Sequence, residues 1–396
     1  MTVLTSKPAV NIRSELADLK KPAGLAGAEM LSATTIVEQA ALLGIAPKNI
    51  IKNGAMAINQ RGSVAFVSDG STAANTYALD RFKCQTSTAL TLLDFTQSQV
   101  ADGPSGFANC LQVEIDTIEV IAAAGDLFRI SHFIEGFDIQ GLGWGTSEAK
   151  SVTLQFWVNS TVPGTYAMYG HTSNGSTIIN FTYTVEQADV WQQVVWVIPP
   201  LFTSAIDDDN TAGMELHWVL SAGSSFTGGA AAPVWEGYSD GQIAVGHEVD
   251  FGAIDASKFK ITGVQLTKGS FPEGVPFEHK SFSDDLQDCR RYFQKYSGGS
   301  AIGLLNMGVM NTATNAQFFQ NLVVEMRSAP AISSSNFGIS TVGGTIAAAS
   351  EVTVAAASGQ FVRVIATIGT NFPVGSNVFP RVPSGATGFA AFDAEL

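Results

Sequence analysis

Four aromatic residues stand in stretches of sequence that could bind a sugar. Trp144, Trp235 and Tyr238 occur in turn-like, Gly- and Ser-containing sequence, and Tyr169 occurs in a similar stretch, GTYAMYGHTS. The C–H groups of a pyranose pack on indole and phenol rings, while nearby polar groups hold its hydroxyls. Since loops carry binding residues more often than sheet faces do, we predict these four residues as candidate glycan contacts. The alternative for each ring is ordinary packing.

A short acidic loop is the candidate for metal binding. It contains Asp207, Asp208 and Asp209, followed by Asn210. Ca²⁺ prefers several oxygen ligands around a tight turn. The stretch lacks the D-x-D-x-D-G spacing of an EF-hand loop. It is therefore either a cation site, with Ca²⁺ as the one candidate cofactor, or a solvated loop.

Glycan hydrolysis is the rival from a different functional class. It needs two carboxylates on either side of a sugar cleft. The carboxylates available in the central region are Glu215, Glu236, Asp240, Glu248 and Asp250. Their spacing in the sequence does not pair them, and no H-E-x-x-H motif occurs. We predict that the protein is not an enzyme and that it has no catalytic residues.

The cysteines predict a protein made in a reducing compartment. Cys84, Cys110 and Cys289 form neither a C-x-x-C pair nor a set with metal-ligand spacing. An odd, widely spaced set favours free, buried thiols. The alternative is a disulfide between Cys84 and Cys110.

Composition and charge restrict the class of partner. The 396 residues carry a formal net charge of −14, and only 14% are charged. An acidic surface repels phosphate backbones, which argues against nucleic acid as a partner. No stretch is apolar enough for a membrane span, and the first residues lack the apolar core of a signal peptide. So little charge is expected where much surface is buried between subunits.

Residues 1–47 predict two short helices. Ile12, Leu16 and Leu19 have helical spacing, and a Thr35–Glu38 capping box precedes the second apolar stretch. These helices have too little apolar surface for a core of their own. We therefore predict an attachment or oligomerisation segment; the alternative is an unstructured leader.

The period of the apolar residues changes to two over residues 48–282. Two runs, 151–160 (SVTLQFWVNS) and 213–223 (GMELHWVLSAG), alternate apolar with other residues. Clusters of turn-forming residues separate such runs. Regular short strands with turn signals predict an all-β chain with an antiparallel β-sandwich of the jelly-roll kind.

Two further segments follow the sandwich. Residues 283–296 (SDDLQDCRRYFQKY) predict a helical linker with Ser283 as its cap. Residues 297–396 contain three Arg and no Lys, and several strand-like runs. We predict a second, smaller β-sandwich domain that acts as a tip or an oligomerisation unit, because so little charge favours packing against copies of itself.

Four stretches in order resemble a module of tailed-phage virion appendages. They are residues 53–62 (NGAMAINQRG), 77–83 (YALDRFK), 151–158 (SVTLQFWV) and 261–296, which ends PFEHKSFSDDLQDCRRYFQKY. The family pattern is N-G-x-F-x-I-x-Q-R-G, then Y-x-x-D-R-W, and finally P-F-E-x-R before a C-x-R-Y-Y helix. The sequence departs from it at Ala55, at Phe82 and at His279–Lys280. The resemblance covers about residues 50–296.

This resemblance implies a fold and a role. Such modules are jelly-rolls similar to carbohydrate-binding modules, and they occur in tail fibres and tail spikes. The implied function is a structural virion protein, a short tail fibre or adhesin, that attaches the particle to host surface polysaccharide. The implied partners are two further copies in a homotrimer, and other virion proteins through residues 1–47. The alternatives are a capsid decoration or head-fibre protein without receptor contacts and, as a weaker one, a tailspike glycan hydrolase.

Three charged residues recur in the family pattern, namely Arg61, Asp80 and Arg81. We expect an internal role for them, in which an arginine fork pairs with a carboxylate near the start of the sandwich.

Overall fold

The computed structural model describes residues 39, 47–87, 90–121, 123–172, 176–231, 233–298, 305–341, 344, 346–382 and 388–396. The chain is almost entirely β structure, arranged in antiparallel sheets. The helices predicted within residues 1–47 lie outside the described residues, apart from Gln39 and Pro47. Among the described residues, no helix has the length and apolar character that crossing a membrane requires.

The first β domain is a sandwich of two sheets, as the period of two predicts. The six-stranded sheet has the order β1 (Val64–Phe66), β4 (Asp94–Val100), β5 (Cys110–Thr117), β13 (Lys258–Lys268), β7 (Val152–Ser160) and β10 (Gln192–Ile198). The seven-stranded sheet has the order β12 (Glu236–Gly237), β9 (Thr177–Val185), β8 (Gly164–Thr172), β11 (Ala212–Ala222), β6 (Leu127–Glu135), β3 (Phe82–Thr86) and β2 (Asn75–Leu79).

Alternating side chains of the facing strands fill the space between the two sheets. Val152, Leu154, Phe156 and Val158 of β7 belong to one buried core. The alternate apolar residues of β11 enter the same core, and Trp218 meets Phe156 edge to face with 5.7 Å between ring centroids. Because successive side chains of a strand point to opposite faces, the residues between them lie on the outside of each sheet.

The second β domain combines a closed barrel with a small sheet, where the sequence predicts a second sandwich. The barrel has the order β15 (Gly308–Met310), β16 (Asn315–Asn321), β20 (Phe361–Ile368), β19 (Ala347–Ala357), β18 (Gly338–Ser340) and β21 (Asn377–Arg381). The three-stranded sheet has the order β14 (Phe293–Gly298), β22 (Gly388–Asp393) and β17 (Ala331–Ser335). A second core, separate from that of the sandwich, lies within this domain.

The described helices are short. They are α1 (Gly136–Ile139), α2 (Ser224–Thr227) and α3 (Phe282–Arg290), with 3₁₀ turns at Gln140–Leu142, Asp240–Gln242 and Phe251–Ala253. The cap of α3 is Ser281, not the predicted Ser283, because the Ser281 side chain accepts a hydrogen bond from the Asp284 backbone N–H at 3.2 Å. Capping residues occupy the position just before the first helical turn.

The predicted helix over residues 283–296 is too long. It ends at Arg290, and Phe293–Gly298 form strand β14. This strand pairs with β22 over its whole length, from Phe293 opposite Asp393 to Gly298 opposite Gly388. Pairing with the end of the chain supplies backbone hydrogen bonds that a short sequence window cannot reveal.

Arg61 and Arg81 join the two β domains, and this corrects the expected pairing. Arg81 forms an ion pair with Glu395, and Arg61 bonds Asp393 at 2.8 Å and Glu395 at 3.1 Å. Asp80 instead accepts hydrogen bonds from Gln60, at 2.7 Å from the backbone nitrogen and 2.8 Å from Nε2. The carboxylates that satisfy the arginine fork therefore come from the far end of the chain.

All three cysteines are buried free thiols, as predicted.

Candidate functional site

The outer side of the seven-stranded sheet carries a continuous set of polar and aromatic side chains. We call this surface the outer sheet face and define it by Lys83, Gln85, Arg129, Ser131, Phe133, Tyr169, His171, Glu215, His217 and Tyr238. Neighbouring strands align these positions: Lys83 is opposite Ser131, Ser131 opposite His217, and His217 opposite Tyr169. They alternate with core residues such as Leu216 and Trp218.

Glu215 is the central acceptor of this face. Its carboxylate lies 3.1 Å from His217 Nε2 and 3.8 Å from His171 Nδ1. The side chain of Glu215 is 17% exposed and that of His171 is 20% exposed. The ring of Tyr238, which is 43% exposed, lies 4.8 Å from the His171 ring between centroids. An accessible carboxylate thus lies near an exposed aromatic face.

Buried side chains hold these groups in position. The Ser131 hydroxyl lies 2.7 Å from His217 Nδ1 and 2.7 Å from Gln85 Oε1. Tyr169 stacks on the His217 ring with 4.3 Å between centroids, and its hydroxyl accepts a hydrogen bond from Arg129. A fully connected polar network of this kind fixes the orientation of its members.

Burial sets the protonation of the network. Loss of hydration lowers the pKa of His217 to about 4, and the positive charge of Arg129 acts in the same direction. His217 is therefore neutral near pH 7 and carries one ring proton, which it donates either from Nδ1 to Ser131 or from Nε2 to Glu215. Burial also lowers the pKa of Lys83 and raises that of Tyr169. These groups are buried, so they fix the orientation of the accessible members of the face, Glu215, His171 and Tyr238.

Two of the four predicted aromatic contacts are buried. Tyr169 is 1% exposed and lies within strand β8, so the prediction that it occupies a loop is wrong. Trp144 is 5% exposed, and its Nε1–H donates to the Lys150 carbonyl at 2.8 Å. Buried rings offer no face for a sugar to stack on, so neither remains a candidate for direct contact.

Trp235 and Tyr238 lie close in sequence but have different surroundings. Trp235 is half-buried; it packs edge to face on Trp144 at 5.3 Å and donates Nε1–H to the Pro199 carbonyl at 2.9 Å. It anchors the loop that carries Tyr238. The Tyr238 backbone N–H donates to the Ser176 carbonyl at 2.7 Å. Of the four predicted residues, Tyr238 is the one that the structure places at the edge of the outer sheet face with its ring exposed.

The acidic loop packs against the domain junction. The backbone carbonyl of Asp209 accepts from the Phe137 N–H at 3.0 Å, and its carboxylate accepts from the Thr211 N–H at 2.8 Å. Asn210 accepts at its carbonyl from Arg327 of the second domain at 3.0 Å. Within the described part of the chain, no three or more His, Cys, Asp or Glu side chains are grouped so that they could hold a metal ion. The predicted cation site at Asp207, Asp208 and Asp209 thus has no ligand set there.

Two arrangements resemble hydrolase motifs without their geometry. Ser131, His217 and Glu215 follow the order hydroxyl, imidazole, carboxylate, but Ser131 has no exposed surface for a substrate to reach. Residues 237–241 (GYSDG) have G-x-S-x-G spacing, but Ser239 has extended backbone (φ −147°, ψ 136°) before a 3₁₀ turn. A nucleophile elbow holds its serine on a strained turn from a strand into a helix.

Sequence analysis missed most of the outer sheet face. In the sequence Glu215 is one carboxylate among several, and His171, His217, Arg129 and Lys83 stand singly in separate strands. The available signal was the alternation itself, because Glu215 and His217 interrupt an otherwise apolar strand at positions of one parity. Which strands lie side by side cannot be read from that alternation.

Comparison with known proteins gives solved structures but no sequence relatives. No protein-family model and no curated protein sequence matches the chain. The enzymatically active domain of tailspike protein 4 of bacteriophage CBA120 is 10% identical, with a TM-score of 0.27. The match covers 56% of this chain and 21% of that structure, so the chain spans about a fifth of its length.

Two further matches are with sugar-binding proteins. A putative sugar-binding protein from Bacteroides thetaiotaomicron is 12% identical, covers 56% of this chain and 100% of its own, and has a TM-score of 0.28. The family 11 carbohydrate-binding module of a Clostridium thermocellum cellulase is 10% identical, covers 55% and 98%, and has a TM-score of 0.26. Likenesses at this level support no inference about ligand or role.

Proposed function

We propose that this chain is a structural protein of a phage particle, a short tail fibre or adhesin, which attaches the particle to host surface glycans by non-covalent binding. The observation that carries the proposal is the outer sheet face, where the accessible Glu215 carboxylate and His171 lie beside the exposed ring of Tyr238. The resemblance of residues 50–296 to virion appendage modules supports the same role.

The chemistry of the face suits a neutral, hydroxyl-rich ligand. A carboxylate accepts two sugar hydroxyls in a fixed geometry, and a phenol ring covers the apolar side of a pyranose. No bond needs to break, so the chain acts by binding alone. The protein belongs to the virion in this proposal, and its charge-poor second domain packs in a homotrimer.

Glycan binding by the purified full chain tests the proposal. We expect Tyr238→Ala and Glu215→Gln each to weaken binding to the glycan found on a polysaccharide array by about tenfold or more, because each removes about 1.5–3 kcal/mol of contact. Glu351→Gln, an exposed carboxylate on β19, is the matched control and should leave binding unchanged. Equal binding by all four proteins would remove the outer sheet face as the receptor site.

Two further measurements separate the alternatives. Light scattering should give three times the chain mass of 41.6 kDa for the purified protein. Release of reducing ends from a bound polysaccharide would favour the hydrolase instead. A protein that binds no glycan but stabilises particles would favour the capsid decoration or head-fibre role.

A further inference from the structure

Four lysines surround one cavity at the start of the sandwich. The cavity has a volume of about 350 Å³, and its charged lining consists of Lys48, Lys52, Lys268, Lys280, Asp138 and Asp288. These are 4 of the 12 lysines in a chain of net charge −14. Four positive charges against two negative ones give the lining an excess of two positive charges, while Asp285 and Glu278 add negative charge near Lys280.

The lysines come from three separate segments and are partly tied down. Lys268 Nζ donates to the Gly141 carbonyl at 2.7 Å, and Lys280 Nζ donates to Asp288 at 2.8 Å. Lys52 pairs with Asp138 and lies 3.2 Å from the Tyr292 hydroxyl. An ammonium group has three N–H donors, so these bonds leave donors to spare on Lys268 and Lys280.

Burial and pairing fix two of the lysines, while the two without an acidic partner in the lining, Lys48 and Lys268, are exposed at its edge. The side chains of Lys52 and Lys280 are 12% and 20% exposed. An excess of positive charge in a cleft attracts anions, although the two aspartates in the lining reduce the effect. The volume lies near the lower end of the roughly 300–1,000 Å³ typical of small-molecule sites.

We propose that this cavity, the lysine cavity, binds an anionic group of a monosaccharide-sized ligand, either a phosphate or the carboxylate of a sugar acid. Lys48 and Lys268 are the exposed lysines at which the anion first arrives, and Lys280 is held in place by Asp288. The lysine cavity shares no residue with the outer sheet face, so the proposal does not depend on the proposed function.

Calorimetric titration tests the proposal. The full chain is titrated with each of three probes at low ionic strength, and the titrations are then repeated with added salt. The probes are inorganic phosphate, glucuronate and, as the neutral control, glucose. We expect one saturable site for at least one anion, no binding of glucose, and weakening as salt is added. Saturation by phosphate alone assigns the site to a phosphate group, and saturation by glucuronate assigns it to a sugar acid.

A double variant, Lys48→Gln with Lys268→Gln, should weaken anion binding by about tenfold or more, since it removes two charged hydrogen-bond donors to the anion. Lys150→Gln is the matched control, because Lys150 is half exposed and pairs with the exposed Glu148 at 3.6 Å, away from the lysine cavity. If the double variant unfolds more readily, Lys48→Gln alone replaces it. Tyr238→Ala should keep anion binding, which separates this site from the outer sheet face.

Three results would overturn the proposal: no saturable binding of either anion, undiminished binding by the lysine variants, or an equal loss in Lys150→Gln.

Discussion

The guanidinium of Arg81 and the carboxylate of Glu395 form a buried ion pair across 314 positions of sequence. The Arg81 side chain is 1% exposed and that of Glu395 is 5% exposed. Arg81 also lies over the Tyr292 ring at 3.4 Å, and Arg61 adds a second contact to Glu395 at 3.1 Å. The last residues of the chain thereby fasten the second β domain to the start of the sandwich.

Removal of the Glu395 charge should destabilise the protein strongly. Glu395→Gln leaves Arg81 buried with an uncompensated charge, which costs about 3–5 kcal/mol. Urea denaturation should show a lower transition midpoint, or separate transitions of the two β domains. Glu351→Gln, whose side chain is exposed on β19, is the control and should change the midpoint little. Equal midpoints for Glu395→Gln and the wild type would mean that the ion pair does not hold the domains together.

Gly54 should be intolerant of a side chain. A Cβ added there would lie 2.0 Å from the Val264 carbonyl oxygen of β13, and Val264 N–H donates to the Gly54 carbonyl at 2.9 Å. Gly54→Ala must therefore displace backbone, at a cost on the order of 1–3 kcal/mol. Gly369→Ala is the control, because no atom lies within 4 Å of its added Cβ. The comparison is between the thermal midpoints of the two variants. Similar midpoints would contradict the predicted close approach.

Substitution of Trp235 should lower folding stability, whereas substitution of Tyr238 should weaken glycan binding. Trp235→Phe loses the hydrogen bond to the Pro199 carbonyl, so we expect a stability loss of about 0.5–1.5 kcal/mol. Tyr238→Ala should leave the thermal midpoint nearly unchanged but weaken glycan binding. Thermal unfolding and array binding of both variants check this division. If Tyr238→Ala lost much stability and Trp235→Phe did not, Tyr238 would be the residue that supports folding.

Acidification should destabilise the protein between pH 6.5 and 4. Burial lowers the pKa of His217 and His247 to about 4 and that of His132 well below its usual range. The unfolded chain binds protons near pH 6.5 that the folded chain does not bind. The stabilisation from His217 and His247 is therefore present above pH 6.5 and lost as the pH falls to about 4, up to about 3 kcal/mol for each of the two. The contribution of His132 has the same sign. Asp80 partly offsets this loss of stability on acidification. Burial raises the pKa of Asp80 to about 6, so its stabilisation is present at low pH and lost as the pH rises through about 6.

Thermal midpoints at pH 7 and pH 4.5 check this prediction. We expect a lower midpoint at pH 4.5 and a smaller difference in His247→Gln. His279→Gln, whose ring is exposed, is the control and should keep the wild-type difference. A midpoint that is unchanged or higher at pH 4.5 would show that the histidine contribution does not dominate.

Much of the fold follows from local pattern. The alternation in β7 and β11 predicts which residues enter the core, since the side-chain period of a strand is two and one face of each sheet is buried. The free cysteines and the start of helix α3 follow from equally local rules, within two residues at the cap.

The remainder depends on partners that are distant in sequence. Arg81 could not be assigned to Glu395 from sequence, because ion pairs form in space and carry no signature in spacing. Phe293 has a helical pattern locally, but pairing with β22 makes it a strand residue. Tyr169 lies in turn-like sequence, yet it belongs to a strand and is buried in an apolar cluster with Ile178, Val219 and Ile243.

The sequence by itself therefore determined the all-β class, the strand faces and the charge-poor second domain, because each depends on side-chain period or composition. The tertiary structure alone decided which strands lie side by side. That order brings Glu215, His171 and Tyr238 onto one face and four lysines around one cavity, since chain segments far apart meet only when the sheets close on their cores.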